Sequence, residues 1–231
     1  MPRFSIIVPV LEEASGIEAA LAALQPYRHR GEAEVIVADG ASTDGTRSMA
    51  APFADRVIEA RRGRALQMNA GARASDGDIL LFLHADTRLP AGALDFIAEA
   101  IDGGREWGRF DVTIDGGGAL LALVAWFMNA RSRFTGIATG DQAIFVRRAV
   151  FETVGGYQSI PLMEDVALSK ALARSSRPAC LRARAVTSSR RWERHGTLRT
   201  IVLMWRLRLA YALGEDPHRL ARRYEVERTS H

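Results

Sequence analysis

Between residues 4 and 100 the chain alternates short strand-like runs with stretches whose apolar positions recur at helical spacing. Phe4–Val8, Val35–Ala38, Arg56–Glu59 and Ile79–Leu83 read as strands, and ILLFL at 79–83 is the strongest such signal. Gly16–Leu24, Thr43–Ala50, Gly63–Ala74 and Ala91–Ala100 read as helices. A run that is apolar at every position belongs to a strand covered on both faces. Such strands separated by helices build βαβ units around a parallel sheet. The expectation is one α/β domain over residues 1–231, with a mainly parallel central sheet flanked by helices. Ligands of such sheets bind beyond the carboxyl ends of the strands.

After residue 105 the alternation loosens. Trp107–Ile114, Ala143–Arg147 and Leu181–Thr187 read as strands, and Ala119–Arg131, Val166–Arg174 and Leu198–Leu213 as helices. Residues 215–231 are polar and are expected to fray. This divides the chain into a first half (1–104) that carries the strand-end polar clusters, a second part (105–190), and a basic helical tail (191–231). Residues 1–173 hold 17 basic and 22 acidic side chains, whereas residues 174–231 hold 14 and 5. A tail of that sign suits an anionic partner, whether phosphate, membrane surface or nucleic acid. The single cysteine, Cys180, excludes an intrachain disulfide. Together with the lack of a recognisable signal peptide, it points to a reducing cytosol. The longest apolar run, Ala119–Met128, falls short of the roughly 20 residues that span a bilayer.

Polar residues gather where the strands should end. Asp39 follows VIVA directly, and Asp86 follows ILLFL within His84-Ala85-Asp86-Thr87. A carboxylate at such an edge can accept from a base or ribose, or ligate a hard cation whose shell is completed by phosphates. Each can equally cap a turn, as Gly40 and Ser42 beside Asp39 suggest. Other nucleotide folds are excluded by what is missing. There is no GxxxxGK[ST], no GxGxxG after a strand, no HExxH and no paired CxxC.

Five segments together resemble the family 2 glycosyltransferases: SIIVPVLEEASGI (5–17), VIVADGASTDGT (35–46), GRALQMNAGARASDGDILLFLHADT (63–87), GDQAIFVRRAVFETVGGY (140–157) and MEDVALSKAL (163–172). The wording HADT and MED is similar to that of a short bacterial subgroup often associated by name with selenium or arsenosugar metabolism. The resemblance implies a GT-A fold, a nucleotide diphosphate sugar donor, an Mg²⁺ or Mn²⁺ ion, and inverting transfer to an acceptor.

Carried over residue by residue, it implies that Pro9 and Glu12 cup the base and that Asp39 accepts from it. Arg64 and Asn69 would approach the nucleotide. Asp86 would ligate the metal as the last residue of an Asp-x-Asp motif whose first position is here His84, on the ribose. Asp165, beside Glu164, would be the general base. Asp141, Glu164 and Trp192 would stand on the acceptor side, Arg191 at the leaving diphosphate, and His195 as a further metal ligand. Bland roles stand beside these. His84 can be a satisfied residue at a strand end, His195 a solvated loop histidine, Asp141 a turn cap, and Glu164-Asp165 an acidic first turn favoured by the helix dipole.

The acceptor can be a small molecule or lipid-linked. The basic helix 198–213 suits a packed core, a homodimer, or peripheral contact with the inner face of the membrane. No nucleic-acid module is recognisable, so nucleic acid is not an expected partner. Two other functions are consistent with the chain. One is a non-catalytic nucleotide-sugar-binding or membrane-surface protein, which His84 keeps open. The other is a GT-A-like nucleotidyltransferase, which the acidic Glu12-Glu13 loop disfavours, because a triphosphate needs a basic, glycine-rich one.

Overall fold

The structure, a computed structural model, describes residues 3–116 and 118–229, with the backbone alone at residues 191, 194, 195 and 227–229. The first half runs β1 (Phe4–Val10), α1 (Ile17–Ala22), α2 (Gln25–His29), β2 (Ala33–Asp39), α3 (Thr46–Ala50), β3 (Arg56–Glu59), α4 (Arg64–Arg73), β4 (Ile79–Phe82), β5 (Thr87–Arg88) and α5 (Ala93–Asp102). The second runs β6 (Trp107–Ile114), α6 (Ala119–Thr135), β7 (Ile144–Arg147), α7 (Arg148–Thr153), α8 (Glu164–Leu172), β8 (Ala179–Thr187), α9 (Arg190–His195), α10 (Thr197–Ala212) and α11 (Pro217–Thr229).

The strands form one sheet in the order β3-β2-β1-β4-β7-β6-β8-β5. The four from β3 to β4 are mutually parallel, as the alternation of strand and helix predicts. Beyond β4 the sheet turns mixed. β7 pairs antiparallel with β4 and with β6, whereas β6 and β8 run parallel. Every residue of β1 and β2 is buried, which is why both read as unbroken apolar runs. Ile6, Ile7, Val35, Ile36 and Val37 are fully excluded from solvent, each contributing about 1.5–3 kcal/mol. Gly71 lets α4 lie directly on β1, since a Cβ there would stand 2.4 Å from Ile7 Cγ2.

A buried arginine fixes the helix that later walls the site. Arg109 of β6 is fully enclosed. Its guanidinium donates to Asp111, to Ser132 Oγ (3.0 Å) and to the Asn129 carbonyl (3.2 Å), the last two on α6. Asn129 in turn bridges to the Val112 backbone at 2.8 and 2.9 Å. Arg109→Ala strands these acceptors in the interior and is expected to cost about 3–5 kcal/mol. A urea-denaturation midpoint equal to wild type would refute this.

One expectation is corrected here. Residues 215–231 do not fray as a whole: α11 forms over 217–229, with Leu220 fully buried against Leu162, Met163, Val166 and Leu207. Its anchoring stripe is narrow, so its mean composition is polar. Helix α10 packs one face into the same cluster through Leu207 and leaves its other side open. Leu198, Val202, Trp205, Leu209 and Leu213 recur at three- and four-residue intervals along one exposed stripe. Among the described residues no helix is long and apolar enough to cross a membrane.

Candidate active site

The carboxyl ends of β1, β2 and β4 lie on one sheet edge because the three strands are parallel. Asp39 ends β2, and His84-Ala85-Asp86 follows β4. Two inter-strand spacings separate β2 from β4, roughly 10 Å. The loops leaving β1 and β2 are laced together. Glu12 accepts from Thr43 N (2.8 Å) and Thr43 Oγ1 (3.2 Å), and its own N–H donates to Ser42 Oγ (2.9 Å). Asp39 is buried. Its Oδ2 accepts from Ser42 N at 3.0 Å, while its Oδ1 is enclosed with no partner among the described residues. A buried acceptor without a donor is the chemistry a nucleobase N–H would satisfy. Pro9 is buried within β1.

The pairing of β4 with β7 assembles the next cluster. Phe82 stands opposite Ile144, so the loop entering β7 meets the loop leaving β4. That loop, Gly140–Gln142, brings Asp141 Oδ1 to 3.5 Å from His84 Nδ1. His84, Asp86 and Asp141 each offer one ligand atom, all within 4.8 Å of one another. The imidazole is confined on one side by Gly140, where a Cβ would come within 2.2 Å of the ring. This donor set of one imidazole and two carboxylates fits a divalent cation. Asp141, expected on the acceptor side, thus joins the positions predicted for the metal motif.

Asp165 stands beside this cluster at the start of α8. Its Oδ2 accepts from Gly140 N at 3.0 Å and its Oδ1 from Val166 N at 2.7 Å, so the carboxylate is held in one orientation. Met163, just before the helix, has φ +68°, one of four non-glycine residues in the left-handed region among the described residues. The others are Glu12, Ala41 and Ala143. All four border these loops, where backbone strain accompanies function.

Glu164 points inward and is 3% exposed. Its Oε1 pairs with Arg64 Nε at 2.7 Å and its Oε2 has no partner among the described residues. Burial pushes its carboxyl pKa up, opposed by Arg64 and reinforced by Asp165. Burial acts to lower the Arg64 pKa, but Glu164, Asp165 and Asp141 outweigh it and the net shift is upward. A carboxyl whose folded pKa is raised holds its proton longer in the native state. Its contribution to stability is therefore present below its ordinary pKa and lost as pH rises through the folded value. Relative to Glu164→Gln, the wild type is expected to lose stability from about pH 4.5 upward. Urea midpoints of both proteins between pH 4 and 8 that run parallel would refute this.

Asp165, His84 and Asp141 open on one cavity of about 540 Å³. Arg64 and Trp192 also line it, and most of the remaining wall is apolar, from α6, α10 and residues 162–163. Asp39, Pro9 and Glu12 lie outside this wall, on the far side of the His84 cluster along the sheet edge. Asn69 is committed elsewhere: its amide brackets the Tyr157 backbone at 2.8 and 2.9 Å. The side chains of Arg191 and His195 lie outside the described residues. Arg190 instead sends Nη2 to within 3.8 Å of Glu13. Glu13's pKa is raised by burial first, with Arg190 opposing and Asp86 reinforcing.

Arg131 was missed by the sequence reading. It lines the same cavity from α6, and its signal was its place at helical spacing after Leu120, Leu123, Val124, Phe127 and Met128.

The family model of glycosyl transferase family 2 matches residues 5–155. The glycosyltransferase AglE of Haloferax volcanii is 28% identical over 174 residues, covering 68% of this chain and 56% of that protein. A PGL/p-HBAD biosynthesis glycosyltransferase of Mycobacterium bovis is 33% identical over 172 residues, covering 68% and 63%. The chain thus spans less than two thirds of the length of these curated relatives. Among solved structures, S. aureus TarS 1–349 in complex with UDP-GlcNAc superposes with a TM-score of 0.66 at 20% identity, over 81% of this chain and 58% of that one. The mannosyltransferase PcManGT from Pyrobaculum calidifontis, in complex with GDP-Man and Mn²⁺, gives 0.60 at 25%, over 80% and 56%.

Proposed function

Because the chain belongs to glycosyl transferase family 2 and folds as GT-A enzymes do, we propose that it transfers a sugar from a nucleoside diphosphate sugar to an acceptor, with inversion and with a divalent ion. The observation that carries this reading is the placement of Asp165, which is fixed by two backbone N–H groups and opens on the same cavity as His84 and Asp141. The wording of residues 84–87 and 163–165 supports placing the chain in the short subgroup described above.

On this reading Asp39 receives the base through its unpartnered Oδ1. His84, Asp86 and Asp141 hold the ion, which when bound supplies positive charge against the donor diphosphate. The imidazole in that set favours Mn²⁺ over Mg²⁺. Asp165 takes the proton of the attacking acceptor hydroxyl. The hydroxyl oxygen's electron pair forms the new bond at the anomeric carbon. The bond from that carbon to the diphosphate oxygen breaks, and the nucleoside diphosphate leaves with its electron pair. Attack from the face opposite the leaving group inverts the anomeric configuration. The raised pKa of Arg64 keeps it cationic throughout, which steadies the Glu164 carboxylate next to the base.

A panel of nucleoside diphosphates and their sugars, with and without Mn²⁺, tests the donor assignment by thermal shift. A ligand present at 100 times its Kd stabilises by about 2.7 kcal/mol. At least one nucleotide is expected to raise the midpoint by several degrees, more with Mn²⁺. No shift with any of them would sink the assignment.

A further inference from the structure

Arg131 is half-buried in the cavity wall, with two of its three guanidinium nitrogens enclosed and unused. It lies near the carboxyl end of α6, and its Nε and Nη2 have no hydrogen-bond partner among the described residues. Guanidinium donors removed from water are costly to leave unpaired, so such a group persists where a ligand supplies the acceptors. A second arginine aggravates the cost: Arg208 of α10 lines the same cavity and repels it. Burial first, then Arg208, pull the Arg131 pKa down to about 10, with Asp165 and Asp141 opposing. At neutral pH it is still a cation. Oxygens of a phosphate-type group match a guanidinium's paired N–H donors and relieve both the missing hydrogen bonds and the repulsion.

The rest of the wall describes the rest of the ligand. Leu123 and Phe127 precede Arg131 on its face of α6, and Met204 and Trp205 approach from α10. Their outer edges are open, with Leu123 49% and Trp205 64% exposed. The cavity therefore carries charge at its inner end, beside Asp165, and becomes apolar toward solvent.

We propose that this cavity is the acceptor site and that the acceptor is an amphiphile, with one phosphate-type anionic group seated on Arg131 and an apolar body running outward between α6 and α10. The inference rests on the transferase reading. It assigns the anion to the acceptor because the cavity excludes Asp39, Pro9 and Glu12 while including Asp165.

Trp192 and Trp205 line the cavity, so tryptophan fluorescence reports its occupancy. The probes are decyl phosphate below its micelle threshold, decanol, and inorganic phosphate. Decyl phosphate is expected to bind at least ten-fold more tightly than either of the others. Arg131→Met is expected to reduce its affinity at least ten-fold, to the level of decanol, and to leave the thermal shift by nucleoside diphosphate and Mn²⁺ unchanged. Leu123→Asp, at a half-exposed position that tolerates a charge, is expected to weaken decyl phosphate and spare inorganic phosphate. It carries the test should Arg131→Met not fold.

Equal binding of decanol would remove the anion site. Equal binding of inorganic phosphate would show a site for free phosphate rather than for an amphiphile. Loss of the nucleotide shift in folded Arg131→Met would assign the anion to the donor and overturn the proposal. A wild type that binds nucleotide but not decyl phosphate sinks this proposal alone, whereas one that binds no nucleotide sinks the transferase reading and this proposal with it.

Discussion

Asp165→Asn retains nucleotide binding and loses turnover by about 10²–10⁴-fold, the range that a positioned general base contributes. The asparagine preserves shape and keeps one of the two backbone hydrogen bonds: its carbonyl oxygen can accept from Gly140 N while its NH2 turns toward Val166 N, so the loop between Gly140 and Gln142 stays tied to α8. What disappears is the capacity to take a proton from the attacking hydroxyl. Single-turnover kinetics alongside nucleotide thermal shifts separate the two effects. A variant that turns over within a few-fold of wild type would move the base elsewhere. A wild type that binds donor and hydrolyses or transfers nothing would make the chain a binding protein.

Gly140→Ala is expected to lower Mn²⁺ affinity by about 10–100-fold, the usual consequence of disturbing the groups that orient metal ligands. An added methyl at Gly140 would stand 2.2 and 2.3 Å from His84 Cε1 and Nε2, far inside contact distance, and the ring has to move. A displaced ring separates Nδ1 from Asp141 and dissolves the three-residue cluster, although residue 140 contributes no ligand atom itself. Free Mn²⁺ titrated by electron paramagnetic resonance reads this without any assay of transfer. Affinity equal to wild type in a folded variant would place the ion away from His84 and Asp141.

The parallel half of the fold was legible because each of its strands is buried on both faces, so local composition states the environment directly. The direction of β7 was not, since Ala143–Arg147 reads the same whether it runs with or against its neighbour. That one ambiguity hid the geometry that matters most. Only antiparallel pairing of Phe82 with Ile144 carries Asp141 to His84, and so an acidic residue that looked like part of an acceptor wall became a partner of the β4 loop. Asn69 shows a different limit: its motif position is recognisable, but its engagement with the Tyr157 backbone depends on a segment 88 residues away. Arg131 carried a local signal, an arginine closing an apolar helical stripe. Helical spacing alone does not separate a cation that snorkels to water from one enclosed in a cavity wall. The tail misread for a simpler reason, because a helix held by Leu220 and few other apolar side chains has an average polarity that conceals its anchor.

Among the described residues that line the cavity, only Arg64 and His84 come from the first hundred positions. On the proposed reading, the residues that face the base and most of the acceptor wall thereby come from different stretches of the chain. A chimera that grafts residues 118–135 and 197–229 from another homologue onto this scaffold would exchange just over half of the residues that line the cavity, most of its apolar side among them, while leaving β1, β2 and β4 as they stand; on the proposed reading, acceptor preference can then change without rebuilding the strand ends that face the base.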